Sequence, residues 1–193
     1  MGGGKEALQL DARAEVGAVD EREDEAERDE RSHNTWIYPS TDHTAMEKAI
    51  EAGEPWSQPM PVFVASGSAK DAKWDATFGK HKKTVVVLSN CPWEWVKPWA
   101  HLTSEQRAKE PGYLAFKEKY KEAAMAQGFR RVFPHLEKYI AHTDVGTPLS
   151  TNTFLGTDAG ECYGRSATPS RWLCPDLVPY TPVPNFYLTG QDV

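Results

Sequence analysis

The sequence has no hydrophobic run long enough to cross a membrane and no excess of positive charge. The longest apolar stretches, Val62–Ala65 and Val85–Leu88, are far shorter than the roughly 20 residues of a membrane-spanning helix. Residues 1–32 hold 11 acidic and 5 basic side chains, so the net charge of −6 for all 193 residues leaves 33–193 neutral. Nucleic-acid binding requires a basic excess on one face. We therefore expect neither a transmembrane segment nor a nucleic-acid partner.

Cysteine is scarce, and the spacings typical of metal sites are missing. Cys91, Cys162 and Cys174 lie far apart and form no CxxC pair, so a disulfide framework or a zinc ribbon is not expected. The six histidines contain no HExxH or HxH arrangement, which argues against a metal site. The first residues also lack the apolar core of a secretory signal. These features are typical of an intracellular protein in a reducing compartment.

The common catalytic and nucleotide-binding motifs are also missing. No GxSxG nucleophile elbow, GxGxxG fingerprint or GxxxxGK[ST] loop occurs in the sequence. The chain therefore lacks a phosphate-binding turn of its own. The sequence alone identifies no catalytic residue.

The sequence divides into three parts. Residues 1–33 are expected to form a disordered acidic tail, because only Ala26 is uncharged between Asp20 and Arg31. Residues 34–180 are expected to fold. Residues 181–193 are expected to contain a terminal strand, formed by Phe186–Thr189.

The hydrophobic pattern of the folded part predicts an α+β (mixed α/β) fold. Met60–Ser66 and Thr84–Ser89 are typical of strands, and the continuous valines of the second indicate a strand covered on both faces. A capping box at Thr103 and Gln106 and a helix starting at Pro111 predict a helical region. Apolar residues at helical spacing follow and predict core packing: Tyr113, Phe116, Tyr120 and Ala124.

The later part of the chain is expected to be less regular. A kink or two abutting helices are predicted at Pro134. Residues 146–170 contain several glycines and prolines, which predicts a long irregular segment of the kind that often carries function.

Two stretches are candidate binding sites. The apolar run Phe186–Thr189 leads into Gly190-Gln191-Asp192, where a glycine allows close approach to a ligand and Asp192 can accept hydrogen bonds from sugar hydroxyls. An ordinary turn is the alternative. If residues 93–99 are extended, Trp93, Trp95 and Trp99 lie on one face and form an apolar wall for a long hydrophobic ligand. Core packing is the alternative for these tryptophans.

Several motifs resemble the carboxy-terminal half of the retinol saturase and carotenoid isomerase family of flavin-dependent oxidoreductases, and are most similar to its all-trans-retinol 13,14-reductase branch. They occur in family order over about 34–193. The motifs are Asn34–Pro39, Ser66–Asp71 with Trp74, Pro92–Trp95, Gly146–Leu149, Gly160–Gly164 and Thr181–Val193.

The resemblance implies an FAD protein that transfers hydride to or from a conjugated polyene, with NAD(P) as the alternative cofactor. It also implies that residues 34–180 form a substrate-domain-like region and that residues 181–193 contribute the last strand of an incomplete FAD-binding Rossmann domain. Gly190, Gln191 and Asp192 would then close the FAD site from the carboxy-terminal side. Tyr163 would lie near the junction of cofactor and substrate and contact the substrate, together with Trp93 and Trp95. The resemblance also implies peripheral contact with a membrane, of the endoplasmic reticulum or a plastid.

The sequence also departs from the family pattern. The dinucleotide fingerprint is absent, and Arg165-Ser166-Ala167 follows Tyr163-Gly164 where relatives often carry an acidic residue and a histidine. Two hypotheses follow. The chain is a fragment of a flavin-dependent polyene oxidoreductase, inactive in isolation, or it is a non-catalytic truncated relative that acts as an interaction protein.

Overall fold

The computed structural model describes residues 32–53, 56, 58–80, 82–161 and 168–190, together with the backbone of residues 7–15. Within these residues the fold is α+β, as predicted, with a single five-stranded sheet. The strands are Ala7–Glu15 (β1), Thr35–Ile37 (β2), Val62–Ser66 (β3), Lys82–Asn90 (β4) and His142–Val145 (β5).

Four of the eight α-helices of the described residues, including the longest, lie between β4 and β5 in the chain. In the described residues the α-helices are His43–Ala52 (α1), Trp74–Phe78 (α2), Trp93–Val96 (α3), Ser104–Arg107 (α4), Pro111–Ala124 (α5), Arg130–Val132 (α6), Pro148–Leu155 (α7) and Pro169–Trp172 (α8). A π-helical turn, Met125–Phe129, connects α5 to α6, and a 3-10 helix, Pro134–Tyr139, follows α6. The interruption predicted at Pro134 is therefore confirmed.

The sheet is antiparallel at every pairing, and its strand order is β2-β3-β4-β1-β5. Strand β4 is central, with β3 on one side and β1 on the other. Its apolar run Val85–Leu88 contributes to both faces, because successive side chains of a strand alternate. The pairing register of β4 with β3 therefore places Val85 and Val87 on the core face and Val86 and Leu88 on the other face.

Strand β1 corrects the prediction of a disordered tail for nine of its residues. Ala7–Glu15 pairs along its whole length with β4, from Ala7 opposite Asn90 to Glu15 opposite Lys82. The physical reason is the local pattern Ala-Leu-Gln-Leu-Asp-Ala-Arg-Ala, which alternates apolar and polar residues as a strand does. The charge count of the whole tail concealed this alternation. The acidic run 20–31 lies outside the described residues.

The helix boundaries follow capping rules that the sequence displays. Asp42 Oδ1 accepts a hydrogen bond from the amide of Ala45 at 2.9 Å and caps α1. The predicted capping box of Thr103 and Gln106 is confirmed at the start of α4, and Pro111 opens α5 as expected. Tyr113, Phe116, Tyr120 and Ala124 are all buried in the core, so the predicted helical stripe is also confirmed.

Segment 146–170 is more regular than predicted. Residues 148–155 form α7, which begins with Pro148 in its first turn and a capping box at Thr147 and Ser150. The helix ends at Gly156, whose φ of 70° is the left-handed conformation that glycine adopts readily. The glycine and proline count suggested a loop, but Pro148 and Gly156 stand at the two ends of the helix.

Gly128 determines how closely the helices approach the sheet. It is buried in the π-helical turn, and a Cβ placed on it would lie 2.5 Å from Val62 Cγ1. The same atom would lie 3.1 Å from Val87 Cγ1 and 3.2 Å from Val64 Cγ2. Only a residue without a side chain fits between the turn and the valines of β3 and β4.

We therefore predict that Gly128→Ala lowers the free energy of unfolding by about 1–3 kcal/mol, because the added methyl overpacks the core. Gly112→Ala is the matched control, since a Cβ there would approach no atom closer than 3.4 Å. Denaturant unfolding of both variants measures the difference. Equal stability of the two variants would contradict the close approach at Gly128.

A second prediction concerns pH. The Arg130 guanidinium donates hydrogen bonds to Glu137 at 2.8 Å and to Glu122 at 3.1 Å, and these bonds lower the pKa of both carboxyls below the usual 4.5. Their contribution to stability is present above the unfolded pKa and is lost as the pH falls through the lower folded pKa.

Arg130→Gln should therefore lower Tm at pH 7, and the gap to the wild type should shrink as the medium becomes more acidic than about pH 4.5. Thermal unfolding at several pH values measures this gap. Arg131→Gln, at the exposed neighbouring position, is the control. A gap that does not change with pH would show that the ion pairs do not contribute.

Candidate functional site

The predicted cofactor contact is only partly described. Gly190 is exposed and has a φ of 136°, and a Cβ placed on it would meet no atom within 4 Å. Gln191 and Asp192 lie outside the described residues. The assignment of Gly190, Gln191 and Asp192 to a cofactor therefore stays a prediction.

The predicted last strand, Phe186–Thr189, is expected to join the sheet of a flavin-binding domain, and it stays a prediction. Among the described residues this run is not a strand of the five-stranded sheet. Tyr187 forms an isolated antiparallel bridge with Tyr180, and the amide of Leu188 donates to the Pro179 carbonyl at 2.8 Å. The backbone of this run therefore pairs with its own preceding segment, which is rich in proline.

The tryptophan segment is helical, not extended. Trp93 lies in α3, and Lys97–Trp99 forms a 3-10 helix, so the assumption of one shared extended face is wrong. Trp93 and Trp95 are half-buried and pack against the core, and Trp95 Nε1 donates to the Gly53 carbonyl at 3.2 Å. Substrate contact by these two residues stays a prediction, and Tyr163 lies outside the described residues.

The two faces of the sheet differ in their surroundings. Val62, Val64 and Val87 are buried on the face that receives the π-helical turn. Phe63 and Leu88, at alternate positions of the same strands, lie on the opposite face and are only half-buried. From β2 to β4 the sheet therefore presents a second, apolar face that is partly accessible. Strand β1 follows β4 on this face with Gln9 opposite Leu88 and Asp11 opposite Val86.

A row of apolar side chains crosses this second face. Trp36 of β2 stands opposite Phe63 of β3, and Phe63 stands opposite Leu88 of β4. The rings of Trp36 and Phe63 lie 4.7 Å apart, and 59% of Trp36 is exposed. Tyr38 stacks on Trp36 at 6.0 Å, with the ring planes 11° apart. We call Trp36, Tyr38, Phe63, Val86 and Leu88 the apolar sheet face.

Sequence reasoning missed this face because it predicted β4 to be covered on both sides. The continuous valines concealed the alternation of buried and half-buried residues along β4. The row from Trp36 to Leu88 depends on pairing between three strands, which local periodicity does not specify. The exposed aromatic pair Trp36 and Tyr38, two residues apart in a short strand, was the available signal.

A polar cleft adjoins the aromatic end of the row. Its volume is about 710 Å³, and it is lined by Tyr38, Pro39, Ser40, Thr41 and His43. The His43 ring meets the Tyr38 ring edge-on at 4.9 Å. Tyr38 thus belongs both to the apolar sheet face and to the cleft, which brings hydroxyl groups and an imidazole next to the apolar row.

Residues with shifted pKa values lie away from this face. Burial raises the pKa of Tyr113 and, more strongly, that of Tyr120. Backbone amides of Glu161 and Ala159 lower the pKa of the Glu161 carboxyl. None of these three groups is a residue of the apolar sheet face.

Metal binding and membrane spanning are two further properties that a structure can reveal. The described residues bring together no cluster of histidine, cysteine and acidic side chains that could hold a metal ion. Within the described part of the chain, no helix is long and apolar enough to span a membrane.

The end of the described chain exposes many apolar side chains. Among residues 168–190 only Arg171, Leu177 and Thr181 are partly buried, and the rest are exposed. Trp172 and Leu173 are 72% and 81% exposed. Isolated exposed apolar residues are common, but a run of this density is typical of a surface that contacts a partner. We call residues 168–190 the exposed segment.

These features define an α+β domain with a partly accessible apolar sheet face. Comparison with characterised proteins gives a more specific relationship. The sequence is 32% identical over 168 residues to "All-trans-retinol 13,14-reductase" of Homo sapiens and 30% identical to the protein of that name from Macaca fascicularis. The Danio rerio protein of the same name is 30% identical over 170 residues.

The resemblance to this family is therefore confirmed over most of the chain. The alignments cover 84% of this chain, which spans 27% of the length of the curated relatives it matches. No protein-family model matches the sequence.

The position of Trp95 generates a prediction. Trp95→Ala should lower the free energy of unfolding by about 3 kcal/mol, because it removes core contacts and the hydrogen bond to Gly53. Trp172→Ala, at an exposed tryptophan, should change it by less than about 0.5 kcal/mol. Denaturant unfolding compares them. A Trp95→Ala variant as stable as the wild type would contradict a packing role for Trp95 and favour its predicted contact with a ligand.

Proposed function

We propose that this chain is the apolar-ligand part of an oxidoreductase acting on a conjugated polyene, with retinol as the substrate class that the relatives' name suggests. The observation that carries the proposal is the apolar sheet face. A polyene is a long, flat hydrocarbon, and the aromatic and aliphatic side chains of this row present a largely apolar surface that matches it. On this proposal the chain binds and orients the polyene and excludes water from it.

We also propose that this oxidoreductase uses a flavin cofactor. A flavin adenine dinucleotide binds its pyrophosphate at a helix amino terminus, usually after a glycine-rich turn. The sequence has no such fingerprint, and Gly190 is the one described residue of the predicted cofactor site. The described residues do not form a flavin site by themselves. We therefore propose that polypeptide corresponding to the remainder of the relatives supplies most of that site.

The exposed segment supports the partner part of this proposal. Its apolar residues, including Trp172, Leu173 and Tyr180, would be covered if this surface docks against a flavin-binding domain. The same observation favours a second function, that of a non-catalytic interaction protein. Peripheral contact with a membrane, implied by the resemblance, also stays a prediction.

Flavin retention distinguishes the two functions. The chain is mixed with FAD and with the amino-terminal part of a retinol reductase relative, and the flavin absorbance that co-elutes with protein on gel filtration is measured. We expect retention by the pair and none by the chain alone. Asp192→Ala should weaken retention in the pair by about 1.5–3 kcal/mol, because a charged acceptor is lost. Absence of flavin from the pair would favour the interaction protein.

Ligand binding tests the apolar sheet face directly. Trp36→Ala should weaken binding of all-trans-retinol by about 0.5–1.5 kcal/mol or more, because an aromatic surface is removed. Trp172→Ala is the control, since that tryptophan is also exposed but lies in the exposed segment. Retinol fluorescence on titration measures both affinities. Equal affinity of Trp36→Ala and the wild type would contradict the proposed ligand surface.

A further inference from the structure

The start of β4 carries an excess of positive charge. Residues 67–83, which connect β3 to β4 and begin β4, contain five lysines and two aspartates. Their formal net charge is therefore +3, with histidine neutral. Four of these lysines are exposed, and Lys83 is half-buried. We call the five lysines the lysine cluster: Lys70, Lys73, Lys80, Lys82 and Lys83.

Hydrogen bonds hold the connection between β3 and β4 against the first residues of β4. The backbone amide of Thr84 donates to Ser68 Oγ at 3.0 Å, near the beginning of the connection. Trp74 Nε1, farther along it, donates to the Lys82 carbonyl. The lysine cluster therefore lies at one end of the sheet, where β3 stops and β4 starts.

The acidic run 20–31 joins two strands that meet this same end of the sheet. Strand β1 ends at Glu15, which stands opposite Lys82. Strand β2 begins directly after Asn34, whose Oδ1 accepts a hydrogen bond from Lys70 Nζ. The chain therefore leaves the sheet beside one lysine of the cluster and returns beside another.

This topology keeps the acidic run close to the lysines. Strands β4 and β3 separate β1 from β2, so at about 4.8 Å per strand spacing the two attachment points are about 14 Å apart. A segment held at both ends over so short a span has a high effective concentration near the residues between its ends. Residues 20–31 hold 8 acidic and 3 basic side chains, a net charge of −5 and opposite in sign to that of the lysine cluster.

We propose that the acidic run 20–31 binds the lysine cluster of its own chain. Carboxylates of the run pair with the lysine ammonium groups, and these ion pairs weaken as salt screens them. Bound in this way, the run balances the positive charge at the start of β4 and competes with other anions for it. The interaction does not depend on the proposed function, because no residue of the lysine cluster belongs to the apolar sheet face.

Proteolysis of the full chain tests this contact. A glutamate-specific protease cleaves within residues 20–31, and mass spectrometry locates each cut and gives its rate. The wild type is compared with Lys73→Gln/Lys80→Gln, which removes two exposed charges of the lysine cluster. Lys48→Gln/Lys109→Gln is the matched control, because it removes two exposed charges elsewhere. Thermal unfolding verifies that both variants are folded.

At low salt we expect Lys73→Gln/Lys80→Gln to be cleaved about two- to tenfold faster than the wild type, because two ion pairs are lost, and the control to be cleaved at the wild-type rate. In about 1 M salt, where the Debye length is about 3 Å, all three proteins should be cleaved alike. Cleavage of the lysine-cluster variant at the control's rate in low salt would overturn the proposal. So would a difference that persists unchanged in high salt. If the double variant does not fold, Lys73→Gln alone takes its place, with an expected increase of about 1.5- to threefold.

Discussion

The close approach between Gly128 and three valines of the sheet governs the architecture of this domain. A π-helical turn at Met125–Phe129 brings backbone, not a side chain, against Val62, Val64 and Val87. The long helix α5 and its aromatic stripe are thereby held against one face of β3 and β4. Alternation along the strands then places Phe63 and Leu88 on the other face, where they remain partly accessible. The core and the candidate site thus lie on opposite faces of the same sheet, and one strand register determines both.

Local signals of the sequence predicted much of the helical part. The capping box at Thr103, the proline that opens α5 and the buried stripe that follows it each depend on residues within one or two turns. Such features need no knowledge of distant parts of the chain. The strands around Met60–Ser66 and Thr84–Ser89 were also predictable, although their ends were displaced by up to two residues.

The errors occurred where pairing between distant segments decides the outcome. Ala7–Glu15 forms a strand by pairing with the distant β4. The many charged residues that follow it in the sequence concealed its alternating pattern. Phe186–Thr189 has strand-like composition, and its pairing with a Rossmann sheet stays a prediction because the described residues contain no such sheet. The row of Trp36, Phe63 and Leu88 combines three segments of the chain, so no window of sequence contains it. The aromatic residues that a window does contain, Trp93 and Trp95, serve mainly the core.

The antiparallel placement of β1 has a consequence for biosynthesis. Ala7–Glu15 is translated long before β4, with which it pairs on one side. Its partner on the other side, β5 (His142–Val145), is translated later than β4. Contacts between segments so far apart in the chain form slowly, because a long loop must close first. During this time the backbone hydrogen-bonding groups of β1 lack their partners in the sheet. The charged residues near β1 in the sequence favour hydration of this segment and disfavour its pairing with other nascent chains.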